Sequence, residues 1–180
     1  YTTQAIEGDS TYVANYNINV SVSAVNGSAV ISSPNNATSG NYQQGTSLTL
    51  TATASEGYGF VNWTKNGAVI EGDEEITVTV DVPAEYVANF AQYTIEASVN
   101  PTAGGSVDVV STTDGNQSTG IYAHGATATL TATANTGYTF VNWTKGGEIV
   151  GRNTTYTTQA IEGDSTYVAN YNINVSVSAV

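Results

Sequence analysis

Cysteine and methionine are both absent from the 180 residues, histidine occurs once, and only three residues are Lys or Arg. Without cysteine there is no disulfide framework, no thiolate metal site and no thiol chemistry. Three basic residues against 15 acidic ones give a formal net charge of −12. That balance excludes the clustered cations needed to neutralise nucleic-acid phosphates, and it disfavours docking on an anionic membrane. No apolar run approaches the roughly 18 residues of a spanning helix. No basic-then-apolar leader opens the chain, which says little because the chain opens in the middle of a repeat. Charge as a whole is sparse, at 10% of residues against about 25% in an average soluble protein. The surface must therefore be built from Thr, Ser, Asn, Gln, Gly and Tyr.

What is present is repetition, which usually decides an architecture. Gly57-Tyr58-Gly59-Phe60-Val61-Asn62-Trp63-Thr64-Lys65-Asn66-Gly67 returns 80 residues later as Gly137-Tyr138-Thr139-Phe140-Val141-Asn142-Trp143-Thr144-Lys145-Gly146-Gly147, and these segments hold both tryptophans. Residues 1–25 recur letter for letter as 156–180, an offset of 155. Thr11 to Tyr16, Glu85 to Phe90 and Thr166 to Tyr171 share an ending of Ala-Asn-aromatic. With that ending as the boundary, residues 1–16 close a preceding B-type repeat, 17–90 form an A-type repeat, 91–171 form a B-type repeat, and 172–180 open a further A-type repeat. Only Ala91-Gln92 separates Phe90 from Tyr93, so no flexible linker is expected and the units should form a stiff linear string.

Strict apolar–polar alternation marks strands. It runs through 18–25, 47–54 and 76–82 in the A repeat, and the B repeat reads as the same series, with strands at 95–99, 106–110, 126–134, 138–143, 155–161 and 167–171. Asn26-Gly27 and Asn66-Gly67 tolerate positive φ and supply tight turns. Residues 33–45, rich in Pro, Asn, Ser and Gly, read as a loop. No apolar stripe has a helical period. The expectation is an all-β chain of tandem small β-sandwich or β-grasp-like units, each of about six short strands, with no helices. Units of this size have thin cores and lean on their neighbours.

On these motifs the chain resembles the divergent InlB B-type repeats, also described as Listeria–Bacteroides repeats. That pattern runs from a Thr/apolar strand to Gly-Tyr-x-Phe-x-x-Trp, then Asn-Gly, then a Thr/Val strand ending in Ala-Asn-Phe. Residues 48–54, 57–63, 66–67, 76–80 and 88–90 follow it in order, and 130–134, 137–143, 146–147 and 169–171 follow it again. The resemblance implies a module of bacterial or archaeal surface proteins, used in stalks, adhesins or fibres, with no catalytic residues and no cofactor. The B repeat departs from the pattern by one extra residue near 160–164 and by Gly146 in place of Asn, which leaves its terminal hairpin open.

Candidate chemistry is thin. His124 is the single possible base, and the A repeat has Gln44 at the equivalent position, so a triad finds no support. Glu71, Asp73, Glu74 and Glu75 have carboxylate density enough for Ca²⁺ but no recognised spacing. A solvated acidic turn that discourages wrong strand pairing is the simpler account, for these and for Glu7-Gly8-Asp9 and Glu162-Gly163-Asp164. Tyr58, Phe60, Trp63 and Phe90, with Tyr138, Phe140, Trp143 and Tyr171, are expected to form the cores. Tyr42 and Tyr122 read as freer to make surface contacts. Lys65 and Lys145 raise the idea of a Lys–Asn crosslink, but a lysine before Asn-Gly or Gly-Gly is more simply an exposed turn residue. Sequons occur at Asn19, Asn26, Asn36, Asn62, Asn116, Asn142, Asn153 and Asn174, and Asn36 and Asn116 are the loop positions that suit glycosylation.

The sequence thus points to a non-enzymatic, extracellular, cell-surface segment whose partners are neighbouring copies of the same repeat. Those copies are joined covalently or, as separate subunits, by strand addition. No nucleic acid and no membrane insertion are expected. An adhesin module recognising a glycan or host surface is the alternative, and it requires exposed aromatics gathered on one face.

Overall fold

A computed structural model describes residues 16–70, 72–111 and 120–176. The first unit begins with β1 (Asn17–Val25), β2 (Gly27–Ser33), β3 (Ser39–Gln43) and β4 (Ser47–Ala54). It continues with β5 (Gly59–Lys65), β6 (Ala68–Ile70), β7 (Glu75–Thr79) and the front of β8 (Ala84–Asn100). The second unit takes the back of β8, then β9 (Gly105–Ser111), β10 (Ile121–Ala123) and β11 (Ala128–Ala134). It ends with β12 (Tyr138–Lys145), β13 (Glu148–Gly151), β14 (Thr155–Thr157) and β15 (Ser165–Ile173). Among the described residues the one helical element is a 3-10 turn at Thr102–Gly104.

Each unit is a two-layer sandwich with the same topology. In the first, β6, β5, β8, β1 and β3 form the larger sheet, and β2, β4 and β7 form the smaller. In the second, β13, β12, β15, β8 and β10 face β14, β11 and β9. Most neighbours are antiparallel, but the strand entering each unit lies parallel to the strand leaving it. Val20 to Val25 run alongside Ala84 to Asn89, and Ile95 to Asn100 run alongside Ser165 to Asn170.

Period-two alternation sets the layers. Leu48, Leu50 and Ala52 point inward from β4, and their threonine neighbours face outward; branched side chains pack well on such a pleated face. Leu130 and Ala132 repeat this on β11. The two cores are separate clusters, one around Trp63 and one around Trp143.

The structure adds strands that the sequence concealed. Residues 33–45, expected as loop, contain β3, and the short β6 pairs with the end of β5. The strand expected at 155–161 survives only as β14, because the second unit carries one residue more there. Thr158 is buried, and its hydroxyl oxygen accepts the Ala128 amide at 2.9 Å, which absorbs the extra residue beside β11. An unpaired backbone donor at that depth would cost about 1–3 kcal/mol.

Strand β8 is the element that joins the units. Its 17 residues run through both without a break. Ala84, Tyr86, Ala88 and Phe90 are buried in the first core, all at even positions. Ile95 is buried in the second core, with Tyr93, Ala97 and Val99 packed against it, all at odd positions. Successive side chains of a strand point to opposite faces, so the strand turns one face to the first core and the other face to the second.

Candidate functional site

The signature motif is intelligible only beside its partner strand. Phe60 pairs with Phe90, Asn62 with Asn89 and Trp63 with Ala88, and the register shifts between Phe60 and Asn62. In a regular strand, residues three apart point to opposite faces. The extra residue at Val61 makes a bulge that restores phase, so Phe60 and Trp63 meet on the same side at a ring separation of 6.2 Å. Ala88, wholly buried, leaves room beneath the indole, and Phe90 sets its edge against Phe60 at 5.7 Å. The Asn89 amide donates to the Asn62 side-chain oxygen at 2.9 Å, tying the bulge down. The second unit repeats every part: Tyr171, Asn170 and Ala169 stand opposite Phe140, Asn142 and Trp143, with the same bulge and a 2.9 Å bond from Asn170 to Asn142. The two halves of the motif, far apart in sequence, are one packed site.

Both indoles have no exposed surface, and each N–H finds a backbone carbonyl: Asp73 at 3.2 Å for Trp63 and Thr154 at 3.3 Å for Trp143. Tyr58, Phe60, Tyr138 and Phe140 are partly buried against these cores, and Phe90 and Tyr171 are buried. The Tyr171 hydroxyl donates to the Ser106 carbonyl at 3.1 Å, with the Thr133 carbonyl at 3.4 Å. Gly27 and Gly105 lie under the rings of Phe90 and Tyr171, where any β-carbon would collide. Burial raises the phenols of Tyr122, Tyr156, Tyr167 and Tyr171 above their ordinary value.

Tyr42 and Tyr122 correct the expectation of surface contacts. They are 8% and 1% exposed and close the edge of each core. Of their strands, β3 is polar but for its tyrosine and β10 is only Ile121-Tyr122-Ala123, so no alternation marked an inward face. The Tyr42 hydroxyl donates to Asn35 at 3.0 Å.

The acidic segment near Trp63 serves through its backbone, since the Asp73 and Glu74 carbonyls accept from Trp63 and from the Ala52 amide. Glu75 accepts from the Thr51 hydroxyl at 3.2 Å. Glu71, Glu7-Gly8-Asp9 and Asn116 lie outside the described residues. Among those described, no three His, Asp or Glu side chains converge as a metal site. Asp164 is more than a solvated charge, because its carboxylate accepts the Thr94 amide of β8 at 2.7 Å.

Lys65 is not a free turn residue. It pairs with Asp81 at 2.9 Å and lies 5.8 Å from the Tyr86 ring. The hydrogen bond with Asp81 raises its pKa and lowers that of Asp81. Lys145 lies over Tyr167 at 5.5 Å. Asn36 is exposed in the loop before β3, at φ 48°, whereas the Asn62 and Asn142 side chains are engaged in the bulge bonds.

His124 stands where the units meet, a place that no motif or spacing had signalled. Its amide donates to the Ala91 carbonyl at 3.0 Å, and its ring lies 5.9 Å from Tyr93. Gly59 of the first unit packs against the His124 backbone so closely that a β-carbon would clash with the carbonyl oxygen. The joint is thus a direct contact between units as well as a shared strand.

Among the described residues no helix is long and apolar enough to cross a membrane. No curated protein matches the chain. Among solved structures, the major pilin protein T-13 of Streptococcus pyogenes is similar, at 9% identity and a TM-score of 0.41, over 90% of this chain and 98% of that one. The C-terminal fragment of the pilus adhesin SpaC from Lactobacillus rhamnosus GG is similar at 11% identity and a TM-score of 0.33, over 92% of this chain and 100% of that one. The Bacillus anthracis TIE protein is similar at 11% identity and a TM-score of 0.34, over 89% of this chain and 34% of that one. The family model described as the divergent InlB B-repeat domain matches twice, at residues 16–94 and 95–175, and the two segments abut inside β8. With two matched copies that together span most of its length, this chain belongs to the divergent InlB B-repeat family.

Proposed function

We propose that this chain is a load-bearing segment of an extracellular, repeat-built stalk or filament that extends from a cell surface. The observation that carries the reading is the parallel pairing of entering and leaving strands in both units. Tension applied through the chain pulls β1 and the front of β8 in opposite directions along their common axis. The ladder between them is then sheared, with all its bonds loaded together, whereas an antiparallel pair pulled from its open end parts one bond at a time. The back of β8 and β15 carry load in the second unit in the same way. Because β8 belongs to both ladders, no slack linker lies between them.

The burial of Trp63, Trp143, Tyr42 and Tyr122 removes the aromatic faces that a glycan-binding module would present. Partners are accordingly further copies of the repeat, and Asn36 is the exposed position proposed for glycosylation. The denatured mass of the native polypeptide distinguishes a covalent array of many 155-residue periods from single-period subunits joined by strand addition.

Single-molecule pulling tests the mechanical reading. Handles at the chain ends should give two unfolding steps, each releasing about 25–30 nm of chain for units of this length. Handles at Asn17→Cys and Gln43→Cys, which face each other across the antiparallel β1–β3 pair, should open the first unit at several-fold lower force. Equal forces in the two geometries would discard the load-bearing reading.

A further inference from the structure

We infer that the array has two kinds of joint, one from A to B and another from B to A, which differ in rotation about the shared strand by about half a turn. The rigid period of the molecule is then the A–B pair. The inference takes residues 172–180 as the opening strand of another A-type unit, and it does not depend on the load-bearing role.

The first observation is the count of residues through each joint. At the A-to-B joint, the last inward residue of one core is Phe90 and the first fully buried residue of the next is Ile95, five positions on. Ile95 pairs with Ser165 as Val20 pairs with Ala84, so Ile95 and Val20 hold the same place in their units. At the B-to-A joint, the last inward residue is Tyr171, and the residue identical in context to Val20 is Val175, four positions on. An odd step reverses the face of a strand and an even step keeps it. The burial record agrees: inward residues pass from even to odd numbers along β8, whereas Tyr171 and the apolar Ile173 and Val175 share one parity. Ile173 and Val175 are 64% and 83% exposed, while Val20, the counterpart of Val175, is 2% exposed under its own unit.

The second observation is independent of strand parity. At the A-to-B joint, Gly59 lies against the His124 backbone with no room for a β-carbon. Its counterpart in the second unit is Thr139, whose hydroxyl lies 2.6 Å from the Asn174 side-chain oxygen. A threonine cannot occupy the Gly59 contact, so the B-to-A joint is packed differently. A half-turn difference in rotation removes the conflict, because it brings another part of the next unit to that place.

The test uses spin labels, which the absence of cysteine makes site-specific. The full chain is extended past Val180 by residues 26–171 of its own sequence, which continue the array without a seam because 156–180 repeat 1–25. Distances are measured by pulsed electron resonance across each joint for two pairs of exposed sites. Across the first joint these are Thr53→Cys with Thr133→Cys, and Thr53→Cys with Ser98→Cys. Across the second they are Thr133→Cys with the added Thr53→Cys, and Thr133→Cys with Ser178→Cys, the copy of Ser23. One pair joins equivalent positions and the other does not, so a half-turn cannot cancel in both. The expected result is distinct distance distributions at the two joints. Deleting Gln92 should move the first joint's distributions onto those of the second. Superimposable distributions at both joints, in both pairs, would overturn the inference. So would a folded Gln92 deletion that leaves the first joint unchanged, and if the deletion does not fold, the undeleted chain alone decides.

Discussion

The tryptophans are the largest fully buried side chains among the described residues, and each stands opposite a wholly buried alanine on the partner strand. Trp143→Ala should destabilise the second unit by about 3–5 kcal/mol, the usual cost of removing a buried aromatic, read as a shift of one denaturant transition. Tyr171→Phe isolates the hydroxyl, since the first unit already has Phe90 at this place, and should cost about 1 kcal/mol for the bond to Ser106. A Tyr171→Phe chain with an unchanged midpoint would show that water replaces that bond at no cost. The aromatics of these cores were legible in the sequence because they recur at matched positions. The bulge at Val61 that brings Phe60 and Trp63 to one face was not, because a three-residue spacing fits no strand period. Its explanation lies in Asn89, 27 residues away.

At the scale of elements, alternation revealed β1, β4, β9 and β11, whose inward residues are apolar and whose outward ones are mostly polar. It missed β3, which buries one tyrosine among polar neighbours, and β10, a three-residue strand whose Tyr122 lies between the apolar Ile121 and Ala123, so a period of two has nothing to act on in either. Tyr122 also bears on a pH effect that distinguishes the units. Among the described residues, the four phenols that burial raises, Tyr122, Tyr156, Tyr167 and Tyr171, belong to the second unit. A raised folded pKa leaves stability intact below the unfolded value of about 10, and stability is lost as pH rises past it, because the unfolded chain releases protons that the folded one holds. The second unit should therefore unfold before the first as pH climbs above about 10. Amide spectra followed through an alkaline titration give the order, and simultaneous loss of both units would contradict it.

For the whole molecule, a net charge of −12 on a surface otherwise of hydroxyls and amides governs how stalks behave together. At neutral pH the like charge keeps neighbouring molecules apart. Near pH 4, where the carboxylates protonate, that repulsion falls away, and the chain should associate side by side. Light scattering should rise steeply on acidification and reverse on return to neutral pH. A chain that stays dispersed through this range would mean that its neutral surface alone prevents contact.

The change of inward face along β8 also bears on how such a gene can change length. Recombination between near-identical repeats adds or removes units, but only a gain or loss of whole A–B pairs preserves both joints. Excision of one unit alone would splice an A directly to an A, or a B to a B, and put Gly59 or Thr139 before the wrong neighbour. The letter-for-letter copy at an offset of 155 is the spacing that such a filter leaves behind, so allelic forms of the array are expected to differ by multiples of that length.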